Sequence, residues 1–305
     1  MNKAAYVIAD VFAERQFGGN QLAVFTDGLG LDSETMQNLA REMNFSETTF
    51  LLPPEKGGDF RVRIFTPAFE LPFAGHPIVG TAFVIFAEGL RIPREGRGTV
   101  TLETGVGLLS VEVAITGERS GHSVMTQPIP EVVGEFKDKE RLARALSLDA
   151  SDIESTGLPV EAINNGITVI IVPVGSLEAV RKIKIDSNAL ETITREAGAV
   201  TLLAFTTVTL RPESSAHCRV YAPGAGVGED PATGSANGPL GFYLVRHGLI
   251  NKGEVNNLIS EQGFEMNRPS IIQIEITNDR ETGDVKGVRV GGGVVLSGRG
   301  EILLS

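Results

Sequence analysis

The feature that most limits how this chain can fold is a phrase that it contains twice. Residues 74–86 read AGHPIVGTAFVIF, and residues 229–242 read EDPATGSANGPLGF. Each phrase has a polar residue, Pro, two further residues, Gly, a hydroxyl residue and Ala, and Asp230 follows His76 by 154 residues. An ordered series of matches at one spacing predicts an internal duplication. The other matches at this spacing are Asp32 with Asp186, Ser33 with Ser187, Arg41 with Arg195 and Glu42 with Glu196.

The coarse pattern of secondary structure repeats in the two halves. Each half opens with alternating, strand-like residues, continues into a helix with an Asp-Ser start, and reaches a second helix after a glycine-rich loop. The second helix of the first half, PIVGTAFVIFAEGL, is apolar on nearly every face, which predicts burial on every face. Its companion, PATGSANGPLGFYLVRHGL, is rich in Gly and Ala and lets neighbouring backbone approach closely.

We therefore expect an α+β fold of two pseudo-symmetric lobes, each a curved, barrel-like mixed β-sheet around a central apolar helix. A doubly wound α/β fold is the alternative, but too few helices alternate with strands for it. The N-terminal lobe is predicted over residues 1–118 and the C-terminal lobe over residues 119–305, with the crossover near 118–130. The strand near 288–305 is a candidate to return to the N-terminal lobe. The active site is predicted in the cleft between the lobes.

Composition excludes several classes of function. A net charge of −11 across 305 residues argues against nucleic-acid and anionic-membrane partners. No apolar run approaches the roughly 18 residues of a membrane span, and the first twenty residues do not have the pattern of a signal peptide. Cys218 is the single cysteine, so the chain can form no internal disulfide. These features predict a cytoplasmic protein.

The two helix starts are the first candidate site. Pro77 and Pro231 suit the first helical position, which places His76 and Asp230 at or near the N-caps. The unpaired N–H groups of a helix start bind anions, so a small carboxylate substrate is predicted there. Small residues at both starts let that ligand come close to the backbone, and hydroxyl groups can add donors. These residues are Gly75, Thr81, Gly234 and Ser235. The alternative is that both starts are capping motifs and nothing more.

One carboxylate breaks the symmetry of the repeat. Glu47 lies between Phe45 and Phe50, and its counterpart 154 residues later is Thr201. An apolar setting raises the pKa of a carboxyl group and suits it to general acid–base catalysis. The alternative is a glutamate on a surface loop or at a cap. Together with the change from His76 to Asp230, this asymmetry is what proton transfer between two positions would need.

Metal and nucleotide sites are not indicated. The glycine runs GAGVG (224–228) and GGG (291–293) lack the spacing of a dinucleotide-binding loop. His122, His217 and His247 have no partner at the spacing of metal ligands. Cys218 is predicted to be a small buried residue.

A set of motifs in order along the chain resembles the PhzF family of phenazine-biosynthesis-like isomerases. They are DVFAERQFGGNQLAV (10–24), NFSETTF (44–50), AGHPIVGTA (74–82), EDPATGSA (229–236), EQGFEMNRPS (261–270) and VRVGGG (288–293). The resemblance implies the diaminopimelate-epimerase fold, a cofactor-free proton shift on a dihydro-hydroxyanthranilate, and a homodimer.

The same resemblance assigns roles to the candidate residues. It implies that Glu47 is the general acid and base and that His76 and Asp230 hold the substrate and assist. It also implies substrate binding by four further residues: Asn20, Gly75, Gly234 and Ser235. Gln21 stands where many relatives have Pro. Diaminopimelate epimerases use two cysteines at the helix starts, and this chain has neither.

Three functions are consistent with these residues. The first is a cofactor-independent isomerase or epimerase that moves a proton near a carboxylate. The second is a lyase or hydratase that uses Glu47 as its base. The third is a binding protein without catalytic activity that keeps the cleft.

Overall fold

The computed structural model describes residues 2–250 and 253–304. These residues form two compact units, one within Met1–Thr126 and Gly291–Ser305 and the other within Gln127–Val290. We call them unit 1 and unit 2. The strand Val285–Leu304 passes through the division between them, so its second part belongs to unit 1.

Unit 1 is built on eight strands that pair in a closed ring. The pairing order is β1, β2, β3, β4, β6, β7, β8, β17 and back to β1. The pairs β2/β3 and β4/β6 are parallel, which makes this a mixed barrel. The strands are β1 (Asn2–Val11), β2 (Asn20–Phe25), β3 (Glu47–Leu52), β4 (Phe60–Phe65), the short β5 (Glu70–Leu71), β6 (Arg97–Thr104), β7 (Gly107–Gly117), β8 (Ser120–Gln127) and β17 (Val285–Leu304).

Helix α2 (Gly75–Ala87) forms the core of unit 1. All of its residues from Gly75 to Phe86 are buried, and it packs on five strands of the barrel: β1, β2, β3, β6 and β7. Burial on every face follows from its uniformly apolar sequence. At Gly80 a Cβ atom would lie 2.6 Å from Val11 Cγ2, so the barrel wall fits the helix only because this residue has no side chain.

Helix α1 (Ser33–Met43) begins at the predicted cap. The Asp32 side chain accepts a hydrogen bond from Thr35 N, and the helix ends at Asn44 in the left-handed region. Its apolar side joins a small core in which the Phe25 and Phe50 rings stack at 4.8 Å. This core fixes the start of β3, which carries a candidate site residue.

Unit 2 repeats this plan with added helices. Its strands pair in the order β9, β10, β11, β12, β13, β15, β16, and the pairs β11/β12 and β13/β15 are parallel. The strands are β9 (Glu131–Glu135), β10 (Glu161–Asn164), β11 (Thr168–Pro173), β12 (Thr201–Thr206), β13 (Ala216–Ala222), β14 (Val227–Asp230), β15 (Val255–Gln262) and β16 (Ser270–Asn278). The helices are α3 (Lys139–Ala145), α4 (Ala150–Glu154), α5 (Leu177–Lys182), α6 (Ser187–Glu196) and α7 (Gly234–Arg246), with short 3₁₀ turns at Pro223–Ala225 and Phe264–Met266.

Helix α7 is the counterpart of α2. It contacts β11, β12 and β16, and ten of its residues are buried. The other four helices cover the outer side of the sheet with a second core of leucine, isoleucine and valine side chains. Helix α6 begins where predicted, with Asp186 accepting hydrogen bonds from Asn188 N and Ala189 N.

The expected fold is confirmed: two lobes of mixed sheet, each with an apolar helix as its core. The predicted boundary at 118/119, however, cuts the hairpin of β7 and β8, which the structure keeps within unit 1 because Val111 and Met125 pair across it. Within the described residues, no helix is long and apolar enough to cross a bilayer.

Candidate active site

In unit 1, three predicted site residues lie together at the start of α2. Glu47 opens β3, Asn20 opens β2, and His76 is the second residue of α2. Glu47 Oε2 is 3.4 Å from His76 Nε2, and Asn20 Nδ2 is 3.2 Å from His76 Nδ1. The parallel pairing of β2 with β3, in register at Leu22 and Glu47, holds the two strand ends side by side.

The surroundings of this group are largely dry. The side chain of His76 is 4 % exposed and that of Glu47 is 15 % exposed. Burial lowers the pKa of His76 to about 3, and a backbone hydrogen bond with Gln21 offsets only part of that effect. His76 is therefore neutral at physiological pH, and its Nε2 faces a buried carboxylate.

In unit 2, Asp230 ends β14 and is held at both its backbone and its side chain. Thr233 Oγ1 donates to Asp230 Oδ2 at 2.5 Å, and Gln262 Nε2 donates to the Asp230 carbonyl at 2.8 Å. Gln262 is fully buried, and its Oε1 accepts from Thr233 N and from Asn237 Nδ2. One glutamine thus ties the end of β14 to the first turn of α7.

The first turn of α7 is fixed from the other side by two amides. Gln127 Nε2 donates to the Gly234 carbonyl at 3.0 Å, and Asn165 Nδ2 donates to the Ser235 carbonyl at 3.1 Å. The two amides also bond each other at 2.9 Å. Because these contacts use the carbonyl groups, they hold the turn in place without occupying its N–H groups.

Both helix starts have the chemistry of an anion site. The first N–H groups of an α-helix have no partner within the helix, and an N-cap side chain commonly satisfies one of them. Ala74, at the N-cap of α2, has no side chain that could do so, and the hydroxyl of Thr233, at the N-cap of α7, forms no capping bond. Each start can therefore offer backbone donors and a positive dipole end to a carboxylate.

The structure corrects the register of the repeated phrase. Strand β4 pairs Ile64 with Leu71, and its counterpart β13 pairs Val220 with Asp230. Helices α2 and α7 both span 13 residues and begin at Gly75 and Gly234. The equivalent stretches are therefore ELPFAGH (70–76) and EDPATGS (229–235), which are 159 residues apart.

This register changes two predictions. Asp230 corresponds to Leu71, and His76 corresponds to Ser235, so the proposed pairing of His76 with Asp230 was wrong. Pro77 is the third residue of α2, and Pro231 precedes α7 by three residues, so neither opens a helix. The loop between β4 and α2 and the loop between β13 and α7 differ in length, and a single offset of 154 cannot follow that change.

The correspondence of Glu47 with Thr201 does hold. Glu47 opens β3 and pairs with Leu22 of β2, while Thr201 opens β12 and pairs with Val169 of β11. Each unit thus gathers its own candidates: Asn20, Glu47, Gly75 and His76 in unit 1, and Asp230, Gly234 and Ser235 in unit 2. That the two groups act in one cleft stays a prediction.

Some residues that shape the site escaped the sequence analysis. Gln262, Thr233, Gln127 and Asn165 all hold the start of α7, and only Gln262 and Thr233 lie in motifs that resembled the family. The phrase E-x-P-x-x-G, present at 70–75 and 229–234, was the signal that could have located the turn. Thr81, considered as a hydroxyl donor, is fully buried and bonds Thr49 Oγ1 at 2.8 Å.

The remaining titratable candidates have structural roles. Cys218 is buried as predicted, and burial raises the pKa of its thiol to about 12. His217 lies between Glu261 and Glu265, with nitrogen–oxygen distances of 2.9 and 3.1 Å. Among residues 2–250 and 253–304, no three His, Cys, Asp or Glu side chains are grouped so that they could hold one metal ion.

Comparison with known proteins indicates the same family as the motifs do. The family model described as "Phenazine biosynthesis-like protein" matches residues 9–300. The trans-2,3-dihydro-3-hydroxyanthranilate isomerase of Pseudomonas fluorescens is 38 % identical over 303 residues, which cover 98 % of this chain and 99 % of the relative. The crystal structure of the Bacillus anthracis phenazine biosynthesis protein of the PhzF family superposes with a TM-score of 0.89 at 27 % identity, covering all of both chains.

A more distant structure shares the fold alone. The hydroxyproline epimerase of Agrobacterium vitis superposes with a TM-score of 0.66 at 13 % identity, over 99 % of this chain and 91 % of that one. The barrel with a central helix therefore occurs in proteins of quite different sequence.

Proposed function

Because this chain belongs to the phenazine biosynthesis-like (PhzF) family and is an isomerase of that family, we propose that it shifts a proton within a small carboxylic acid related to trans-2,3-dihydro-3-hydroxyanthranilate. One observation carries the proposal. A largely buried carboxylate, Glu47, lies 3.4 Å from the neutral imidazole of His76 at the start of a buried helix. A carboxylate in such a setting can take a proton from carbon and return it.

The reaction is balanced without a redox step. Glu47 Oε accepts the proton as the carbon–hydrogen bond breaks, and the electron pair moves into the conjugated acid. The same carboxyl group then returns a proton at another carbon, so substrate and product are isomers. Neutral His76 can donate or accept a hydrogen bond to a polar group of the substrate during this transfer.

The substrate's carboxylate is assigned to a helix start. Gly234 and Ser235 supply backbone N–H groups at the start of α7, and Ser235 adds a hydroxyl. Asp230 would hold a polar group of the acid and assist the proton shift, Asn20 would bind an amino or hydroxyl group, and Gly75 leaves room at the start of α2. The rigid hold of Gln127 and Asn165 on the first turn of α7 supports this assignment, since preorganised donors bind an anion without reorganising.

Partner and location are proposed on the same basis. The partners are one small acid and a second copy of this chain, as the resemblance implies. The net charge of −11 disfavours nucleic acids and anionic membranes. The single, buried cysteine is compatible with the cytoplasm, where we place the protein.

The test is proton exchange in deuterated water. The protein is incubated with trans-2,3-dihydro-3-hydroxyanthranilate and with a panel of related unsaturated acids, and NMR follows deuterium entering carbon and the appearance of the isomer. We expect exchange and isomerisation of at least one acid, both lost in Glu47→Gln. Elimination of water instead would identify a lyase. Binding of an acid without exchange in the wild-type protein would mean that this chain is a binding protein, and the proposal would fail.

A further inference from the structure

The side chain of Arg219 is a buried junction in unit 2. It lies on β13, and its Nε and Nη2 donate to the two oxygens of Glu229 at 2.8 and 2.7 Å. Its Nη1 donates to the carbonyl groups that end α5, at 3.2 Å to Val180, 3.2 Å to Arg181 and 2.9 Å to Ile183. The side chains of Arg219 and Glu229 are 10 % and 18 % exposed. Because hydrogen bonds hold the planar Arg219 guanidinium on its Glu229 side and on its α5 side, the group is fixed in one orientation.

Glu229 is the residue before Asp230 on β14. Strand β14 pairs with β13 in an irregular register, with Asp230 opposite Val220 and Val227 opposite Ala222. The ion pair with Arg219 fixes Glu229 immediately before Asp230. The Asp230 carbonyl is held by Gln262 at 2.8 Å. The end of β14 is thus clamped at two consecutive residues, by an ion pair at one and an amide at the next.

Unit 1 contains an arginine–glutamate pair at the equivalent place. Arg63 on β4 donates from Nε and Nη2 to the two oxygens of Glu70 on β5, at 2.7 and 2.6 Å. Each arginine also lies over the aromatic ring two residues further along its own strand, Phe65 at 5.0 Å and Tyr221 at 5.4 Å. The arginine–glutamate pair therefore belongs to the repeated design of the fold.

The two clamps differ in what they hold. In unit 1 the next residue is Leu71, whose side chain has no titratable group, and the side chain of Glu70 is 42 % exposed. In unit 2 the next residue is the carboxylate Asp230, and the ion pair is less exposed than in unit 1. Both arginines reach a third element, since Arg63 Nη2 donates to Ser33 Oγ of α1 at 3.0 Å and Arg219 Nη1 donates to the end of α5. The less exposed pair is the one beside the titratable residue.

We propose that Arg219, acting through Glu229, is a positioning residue for Asp230. The inference rests on the proposed function, in which Asp230 contacts the substrate. The ion pair keeps the end of β14 from rotating, so that the Asp230 carboxylate meets the substrate in the reacting geometry. Displacing a reacting group by about 1 Å costs on the order of 100-fold in rate.

The test is a double-mutant cycle between Arg219→Lys and Asp230→Asn. Lysine keeps the charge and loses the two-pronged contact. With the acid identified by proton exchange as the assayed substrate, we expect Arg219→Lys to lower kcat by roughly 30-fold with KM within about threefold. In the Asp230→Asn background the same change should lower kcat less than about threefold, because nothing remains to be positioned. Circular dichroism melting confirms that each variant is folded.

A second variant and a matched control complete the design. Glu229→Asp keeps both charges and shortens the reach, and it replaces Arg219→Lys in the cycle if the lysine variant does not fold. Arg63→Lys breaks the equivalent pair in unit 1, where no titratable residue follows, and should change kcat less than about threefold.

The outcomes separate the two proposals. Equal losses from Arg219→Lys in both backgrounds would overturn the positioning role and leave the assignment of Asp230 intact. An unchanged kcat in Asp230→Asn alone would overturn the assignment of Asp230, and the positioning role with it. Equal losses from Arg63→Lys and Arg219→Lys would show a structural contribution common to both pairs and would also overturn it.

Discussion

At the openings of β3 and β12, equivalent strands of the two units, stand Glu47 and Thr201. At the second residue of the two buried helices stand His76 and Ser235, and at the ends of the two short strands stand Leu71 and Asp230. The backbone is repeated, and the reactive groups are not. Across these three pairs of positions each unit has one carboxylate, Glu47 at a strand opening in unit 1 and Asp230 at the end of a short strand in unit 2. The repeat supplies two similar frames, and single substitutions within them place different side chains at equivalent positions.

His76 of unit 1 and His217 of unit 2 are both buried, but their pKa values are shifted in opposite directions. Both are almost inaccessible, yet burial lowers the pKa of His76 to about 3, whereas the pKa of His217 lies above its ordinary value of 6.5. Burial alone would lower the pKa of His217 as well, and hydrogen bonds to Glu261 and Glu265 reverse the effect. Hydrogen-bond partners, and not depth alone, set the direction of the pKa shift: burial favours the neutral form of His76, and two carboxylates favour the protonated form of His217.

The largest difference between the two units is expected when the residues that open β3 and β12 are each replaced. Glu47→Gln should lower kcat by about 1,000-fold, in the range of a lost general acid–base group. Thr201→Val should leave kcat within about twofold and should not reduce stability, because the buried Thr201 hydroxyl has no hydrogen-bond partner among residues 2–250 and 253–304. Steady-state kinetics and thermal melting check both. Comparable kinetic losses in the two variants would mean that the strand openings act alike.

His76 is expected to make the stability of the folded protein depend on pH. An unfolded histidine takes up a proton near pH 6.5, and native His76 resists protonation down to about pH 3. The free energy of unfolding therefore decreases as the pH falls below 6.5, by about 2 kcal/mol between pH 7.5 and pH 5. Urea unfolding of the wild type should show this loss, and His76→Gln should remove that part of it.

His217 should show the opposite sign. Because its pKa is raised in the folded state, its stabilisation is complete below about pH 6.5 and is lost as the pH rises through the folded value. The difference in stability between the wild type and His217→Gln should therefore shrink as the pH rises above 6.5. A difference that grows with pH would contradict the charged state assigned to His217.

The smallest effect is expected at the start of α7. Ser235→Ala should raise KM by about tenfold and leave kcat within threefold, because a hydroxyl that binds the carboxylate does so equally before and during the reaction. Ser235→Thr, which keeps the hydroxyl, should retain most of the affinity. A fall in kcat without a change in KM would move Ser235 from binding to chemistry.

Much of the fold could be predicted because its causes are local. The uniformly apolar sequence of α2 requires burial on every face, and Asp32 and Asp186 mark helix starts by their capping chemistry. The resemblance to a known family then selected the two-lobed barrel from the α+β folds that this pattern allows.

The register of the repeat could not be predicted for a physical reason. The phrases P-x-x-G-[ST]-A and E-x-P-x-x-G match equally well at offsets of 154 and 159, and local sequence cannot choose between them. The choice is made by strand pairing, which sets Leu71 opposite Ile64 and Asp230 opposite Val220. Gln262 and Arg219 escaped notice for the same reason, since each acts through contacts between segments that are distant in sequence.

Strand β17 has a consequence for the order in which the protein can be assembled. The ring of unit 1 closes only when residues 294–304 pair with β1, and register places Leu304 opposite Asn2. These closing residues are synthesised after the whole of unit 2. On the ribosome, unit 2 can complete its own strand pairs first, while the barrel that contains Glu47 and His76 is still open between β1 and β8. The half of the molecule that is made first is thus the half that finishes last, and its exposed edges at β1 and β8 need protection during that interval.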